Sequence, residues 1–315
     1  MSVNVYQSQI NRIFQEFNTT LLKAFDIAPR VSDVYSMEVP SSSRSTLHAW
    51  LGDQATVREW FGQRKCNSFG TRVWEVVNRN WELTYEFDVR QIQDDLEGLV
   101  SQAVMRARSD GRKWSRHQDK LCAQVLEAGF TAACYDGQNF FDPSHPVDIE
   151  GITSGTYSNL HTSSALTHAS FNTALTGLHK LKLEDGSPMI PLDAEVSLIV
   201  PPALSLTADQ ILLVKSLTAA ASYGLFGTTG ASDNPLVGRA KKVENAWLTS
   251  DTTWYLTVND AGIKPIMFQR RQGVETLELG PGSQLYFDEK KVRIGMDSRY
   301  TASYTFPQLA VANQA

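Results

Sequence analysis

Apolar residues recur at three- and four-residue steps near the start of the chain, where Tyr6, Ile10, Ile13, Phe14, Phe17, Leu21 and Leu22 are separated by Gln, Asn, Arg and Glu. This predicts an amphipathic helix over 4–26, ended by Pro29, because the residue before a proline is pushed out of the helical region. From 33 to 90 the period changes to two. In WELTYEFDV, Trp81, Leu83, Tyr85, Phe87 and Val89 share one parity and Glu82, Thr84, Glu86 and Asp88 the other, which predicts a two-faced strand. The run TRVWEVV at 71–77 is its expected partner, DVYSMEV and STLHAW are further extended candidates, and SSSRS at 41–45 marks a bend. Helical period returns over 96–128, a span of roughly 45 to 50 Å at 1.5 Å per residue if the helix is continuous, the alternative being a kink or split at Ser109-Asp110-Gly111. Beyond a loop at 135–147, the pattern predicts a helix near 167–182, a strand at 195–200 and a helix over 206–221. Several strands follow, among them VGRAKKVENAW, IKPIMFQRR, SQLYFDE and KVRIGMDSRYTASYTF. The class is α+β.

Composition changes this picture in two ways. At 315 residues the chain exceeds what one core comfortably organises, so two subdomains are expected. Only 20% of residues are charged, against about a quarter in ordinary domains, which suits a subunit whose surface is covered by neighbours. A net charge of -5 argues against a globally basic nucleic-acid binder. Cys66, Cys122 and Cys134 are odd in number and lack CxxC spacing, so a reducing cytoplasm is the expected site of folding. No window approaches a membrane span.

Motif chemistry is sparse. The chain has no GxxxxGK[ST], no GxSxG and no HExxH. Asp136, Asp142 and His145 fall within ten residues and could serve a metal, yet Gly137, Pro143 and Pro146 make the same stretch turn chemistry, and the structural reading is preferred. Cys122 and Cys134 read as small buried hydrophobes. Charge is more informative. Arg106, Arg108, Arg112, Lys113, Arg116 and Lys120 oppose only Asp110 and Asp119 within fifteen residues of an otherwise acidic chain. Two readings stay open: a solvated helix face with ion pairs, or a basic stripe held against a polyanion.

Three blocks carry a resemblance. AWLGDQATVREWFGQR at 49–64, VRQIQDD at 89–95 and YDGQNFFDPSHPV at 135–147 resemble, in order and spacing, the major head subunit of Mu-type tailed phages. The resemblance implies the HK97-like capsid fold: an N-terminal arm (1–32), an extended E-loop (33–90), a peripheral domain with a long spine helix (91–184), an axial domain (185–270), and final strands returning to the peripheral domain (271–315). It implies a major capsid protein without enzymatic activity or cofactor, forming hexamers and pentamers of an icosahedral shell around double-stranded DNA in the virion. Scaffold or protease, portal and decoration proteins would be its partners, and no membrane.

In that frame Arg58, Glu59, Trp81, Leu83, Tyr85 and Phe87 are expected at inter-subunit contacts of the E-loop, and the arm is expected to overlap a neighbour. The stripe from Arg106 to Lys120 is expected to face DNA, and Asp136, Gly137, Phe140, Phe141, Asp142 and His145 to form a structural loop. The apolar face of 81–87 would then be covered by an adjacent subunit, the alternative being its own core. An encapsulin-like compartment, a metal-dependent hydrolase and a soluble binding module are the rival functions.

Overall fold

The computed structural model describes residues 2–51, 71–94, 96–147, 155–181, 188, 190–191, 194–217, 232–260 and 262–315. Helix α1 (Ser2–Ile27) buries Ile10, Ile13, Phe14, Phe17 and Leu21, a single stripe at helical spacing. A short helix α2 (Val89–Asp94) leads into α3 (Leu96–Ala128), which buries Val100, Ala103, Ala107, Trp114, Cys122 and Leu126. The helix is continuous through Ser109-Asp110-Gly111, where a kink was the alternative, and Gly111 serves a helix crossing: a Cβ there would stand 2.5 Å from the Leu21 carbonyl oxygen and 2.8 Å from Ala24 Cβ. The segment expected to reach over a neighbour as an arm is thus docked on its own chain.

Strands β1 (Ser36–Pro40), β13 (Ile266–Leu279), β14 (Lys291–Tyr304) and β4 (Arg79–Asp88) form a four-stranded sheet in the order β1-β13-β14-β4. β1 runs parallel to β13, and the other pairs are antiparallel. Among the described residues, β2 (Ser45–Leu51) and β3 (Thr71–Val77) pair only with each other. Two expectations are corrected here. β3 is the partner of β2 and not of β4, and the extended segment 33–90 is not one excursion, since β1 and β4 are built into the larger sheet. The chain changes sheets at Asn78, whose amide donates to Ser41 Oγ and Ser43 O, both 2.9 Å away. α6 (Gln284–Glu289), expected as a strand, is a helical turn capped by Ser283, which accepts from Tyr286 N, and closed by Lys290 in the left-handed region at φ 56°.

A second sheet has the order β11-β8-β12-β15-β7: β11 (Lys241–Glu244), β8 (Glu195–Val200), β12 (Trp254–Asn259), β15 (Ala310–Gln314) and β7 (Leu160–Thr162). It is buried on both sides, which is why β8 and β12 read as unbroken apolar runs. Ile199, Tyr255 and Ala312 face the core shared with α1, α3 and the first sheet, whereas Leu198, Val200, Trp254, Leu256 and Val311 face a second core. That second core is closed by α4 (His168–His179), started by a Thr167–Ser170 capping box, and α5 (Ser205–Leu212), shorter than the expected 206–221 helix. The final strands were expected to return together to the peripheral part, but they divide. β14 stays on α3, and β15 completes the second sheet beside β12. Two-residue pairs β5 (His145–Pro146) with β6 (Thr156–Tyr157) and β9 (Ser216–Leu217) with β10 (Ser232–Asp233) complete the described strands.

Candidate functional surfaces

The inner face of β4 lies on α1 and α3 of the same chain. Trp81 donates its indole N–H to Tyr300 O at 3.0 Å and meets His117 edge-on at 4.5 Å between centroids. Tyr85 donates to Asp110 Oδ2 at 2.6 Å and packs edge-on against Phe17, while Leu83 and Phe87 sit against the same core. Burial and the Asp110 carboxylate together push the Tyr85 hydroxyl up to about 12. The face expected to need an adjacent subunit is thus partly covered by its own chain, the alternative the sequence left open, with Trp81, Leu83, Tyr85 and Phe87 half-buried because β4 is the last strand of a sheet laid on α3. On the opposite face Glu86 is held by Lys291 at 2.8 Å and Arg293 at 2.7 Å, hydrogen bonds that lower its carboxyl below the ordinary range. Arg58 and Glu59 lie outside the described residues.

Along α3 the fold sorts the charges by sign. Arg106, Arg108, Arg112, Lys113, Arg116 and Lys120 are all exposed, while Asp110 and Asp119 are turned inward, 1% and 2% exposed. Asp119 accepts from Ser32 N at 2.7 Å, and Asp110 is shared between Tyr85 and Lys113. Arg106 lies over the Tyr85 ring, 5.6 Å from its centroid. Arg108, Arg112, Arg116 and Lys120 have no ion-pair partner among the described residues. Arg108, Arg112 and Arg116, one turn apart, form one wall of a cleft of about 520 Å³ whose other wall is the end of α1 with Lys23. Of the two acids near the stripe in sequence, Asp119 bonds to the backbone of Ser32 and Asp110 reaches Lys113 alone among the cations, so the three arginines and Lys120 stay unpaired among the described residues.

Half-buried His117 contributes to the pH response. Burial, then Lys120, lowers its pKa from the ordinary 6.5, and burial lowers His161 and His168 in the same direction. Below pH 6.5 the unfolded chain binds protons that the folded chain refuses, so stability is complete above that pH and falls as the solution is acidified. Melting temperature is expected to drop between pH 7.5 and 5.5, with a shallower slope in His117→Gln, which keeps a polar partner for the Tyr300 hydroxyl now 2.8 Å from Nδ1. An unchanged slope in that variant would contradict the assignment.

The loop at 135–147 brings some of its expected residues together. Gly137 takes φ 83°, and the turn it makes carries Phe140 and Phe141 into the core, where Phe140 stacks on Tyr304 at 4.4 Å. His145 Nδ1 lies 2.5 Å from Asp136 Oδ2, both side chains buried. Asp142 turns away and accepts from Ser144 N and Oγ. Asn159, which sequence reasoning missed, is the hub of the site. Its amide donates to Phe140 O at 2.8 Å and Pro307 O at 3.0 Å, so its Oδ1 is the atom that accepts from Asp142 N and faces His145 Nε2 at 3.1 Å. Nε2 must then donate, and a proton must also lie between Nδ1 and Asp136. No group of three metal-ligating side chains occurs among the described residues. Burial pushes the thiols of Cys122 and Cys134 up to about 12, the state of inert core cysteines. Cys66 lies outside the described residues.

A long helix crossed by an N-terminal helix, a sheet laid along it, a separate hairpin and a second, doubly covered sheet define the HK97-like capsid fold. A chain of the procapsid of bacteriophage JBD30 superposes with a TM-score of 0.55 at 20% identity, over 97% of this chain and 74% of that one. Residues 10–168 and 226–315 match the family model described as Mu-like prophage major head subunit gpT, and the chain belongs to that family. It is 31% identical over 159 residues to the Mu-like prophage FluMu major head subunit of Haemophilus influenzae, covering 50% of this chain and 51% of that protein. It is 34% identical over 145 residues to the major capsid protein of Escherichia phage Mu, covering 46% of each. The chain spans about half the length of these curated relatives. The family match favours a phage head over an encapsulin-like compartment.

Proposed function

We propose that this protein is the major shell subunit of a tailed-phage head, a structural protein with no catalytic role, whose copies assemble as hexamers and pentamers around double-stranded DNA. The observation that carries the reading is the head-subunit family match across both the α3 region and the terminal strands. The β2–β3 ribbon supports it. Two strands alone are marginal in water, and Leu47 and Val77 on this pair are 65% and 50% exposed, so a neighbouring copy is the natural cover. Its base is held to the first sheet by Trp74 Nε1 donating to Ser303 Oγ and by His48 bonded to Gln269. This ribbon takes the E-loop role, α3 the spine, and the second sheet with α4 and α5 the axial part. The cationic side of α3 faces the packaged DNA, where a local positive stripe on an acidic chain attracts phosphates without holding them tightly. Scaffold or protease, portal and decoration proteins complete the assembly.

The test is expression of the chain alone and with its neighbouring genes, followed by sedimentation and negative-stain microscopy. Closed or partly closed shells, or capsomer rings, are the expected products. A monodisperse monomer under every co-expression condition would overturn the reading.

A further inference from the structure

We infer that the cleft between the end of α1 and the middle of α3 is a clamp for a phosphodiester backbone, and that filling it fastens α1 to the spine. The inference rests on the proposal that this side of α3 meets packaged DNA, and it adds a wall, a ligand class and a mechanical consequence. Arg108, Arg112 and Arg116 repeat every four residues, so their Cα atoms rise about 6 Å from one to the next along one line of the helix. Lys23 faces them from α1, and Ala24, Ala28 and Pro29 keep the space between open. None of these four cations has an ion-pair partner among the described residues.

A row of like charges at regular spacing suits a polymer that carries a charge on every unit. Guanidinium forks match phosphate oxygens in pairs. An acidic peptide would also satisfy the charge, but its carboxylates hang on side chains that need room of their own, and the cleft has small residues between its cations in place of side-chain pockets. At about 520 Å³ it admits the backbone of one strand of a duplex that lies across its mouth.

The consequence follows from where Lys23 sits. With the cleft empty, Lys23 on one helix and three arginines on the other repel across the α1–α3 junction, against the apolar stripe that holds the helices together. A polyanion between them reverses the sign of that interaction. DNA contact should therefore tighten α1, coupling the filling of the head to the stiffness of its wall.

The experiment uses the purified full-length chain with a short DNA duplex, and separately with polyglutamate of matched charge. Affinity is read against salt, and α1 is followed by hydrogen exchange. DNA is expected to slow exchange in α1. Lys23→Gln and Arg112→Gln are each expected to abolish that protection and to lower the slope of log affinity against log salt by about 1, with little change in melting temperature when no DNA is present. If Lys23→Gln behaves as the parent while Arg112→Gln weakens binding, the clamp falls and the DNA-facing stripe stands. If DNA binds to none of them, both fall. Polyglutamate binding as tightly and protecting α1 as well would replace the phosphodiester with an acidic peptide and overturn the ligand assignment. A fall in DNA-free melting temperature in Arg112→Gln with unaltered DNA binding would make the arginine a partner of the α1 C-terminal carbonyls, and would likewise overturn it.

Discussion

Replacing Gly111 with valine is expected to displace α1 from α3 and to destabilise the subunit by about 1–3 kcal/mol or more, the range for forcing extra atoms into a closed contact. The obstacles are specific. A Cβ at 111 would lie 2.5 Å from Leu21 O, 2.8 Å from Ala24 Cβ and 3.0 Å from Phe25 N, and two of these three are backbone atoms of α1 that no rotamer change can move. The helix as a whole must shift. In doing so it loosens a stripe in which Ile10, Ile13, Phe14, Phe17 and Leu21 are at most 2% exposed. Alanine is the sharper test, because it pits two effects against each other. In an exposed helix interior Gly→Ala stabilises by about 1 kcal/mol, whereas here the same Cβ meets the same carbonyl. The clash is expected to win, so Gly111→Ala should melt below the parent and expose α1 to limited proteolysis, while Ser109→Ala on the exposed side should not. A Gly111→Ala chain that melts at or above the parent, with α1 still protected, would show that the crossing does not depend on this glycine.

The same glycine shows what a linear reading can and cannot reach. Helices α1 and α3 were legible because each buries one stripe, and the stripe is a local property of spacing. Gly111 stands out in the sequence only as a candidate kink, because its low helix propensity is also local, whereas its reason for being there is a helix 90 positions earlier. β4 repeats the lesson. Alternation from Trp81 to Phe87 told which face is apolar, but the partner that covers it is settled by pairing with β14 and by rings such as Tyr300. Nothing in nine residues encodes whether that cover lies in the same chain or the next. The basic stripe was legible as a count. Its strength was not, since only the fold turns Asp110 and Asp119 inward and leaves the cations outside. Asn159 stood in a Ser/Thr-rich stretch with no pattern to mark it, and its role depends on two carbonyls, Phe140 O and Pro307 O, from distant parts of the chain.

That asparagine fixes the second large effect. Because Asn159 spends both amide hydrogens on carbonyls, its oxygen compels His145 Nε2 to donate, and Nδ1 is left 2.5 Å from Asp136 with a proton between them. The side chains of His145 and Asp136 are 0% and 3% exposed, so water does not reach the bond between them. Asp136→Ala removes the acceptor and strands the imidazole, together with the Gln138 amide that now donates to Asp136 Oδ1 at 3.1 Å. Leaving a buried hydrogen-bonding group without its partner costs about 1–3 kcal/mol, a large part of the 5–15 kcal/mol that holds a domain folded. Asp136→Asn separates charge from geometry. Its Oδ1 can still accept from Gln138, and its amide can donate to Nδ1 of a neutral imidazole whose Nε2 keeps its proton for Asn159, so every hydrogen bond survives and only the charge assistance is lost. The alanine chain is therefore expected to melt far below the parent, and the asparagine chain to recover most of the difference. In ¹⁵N-histidine spectra the parent should show one ring with both nitrogens engaged with protons, and the asparagine variant a neutral ring protonated at Nε2. Equal melting of the two variants would mean that the loop is held by Phe140 and Phe141 alone, and that the proton between Asp136 and His145 contributes nothing to the fold.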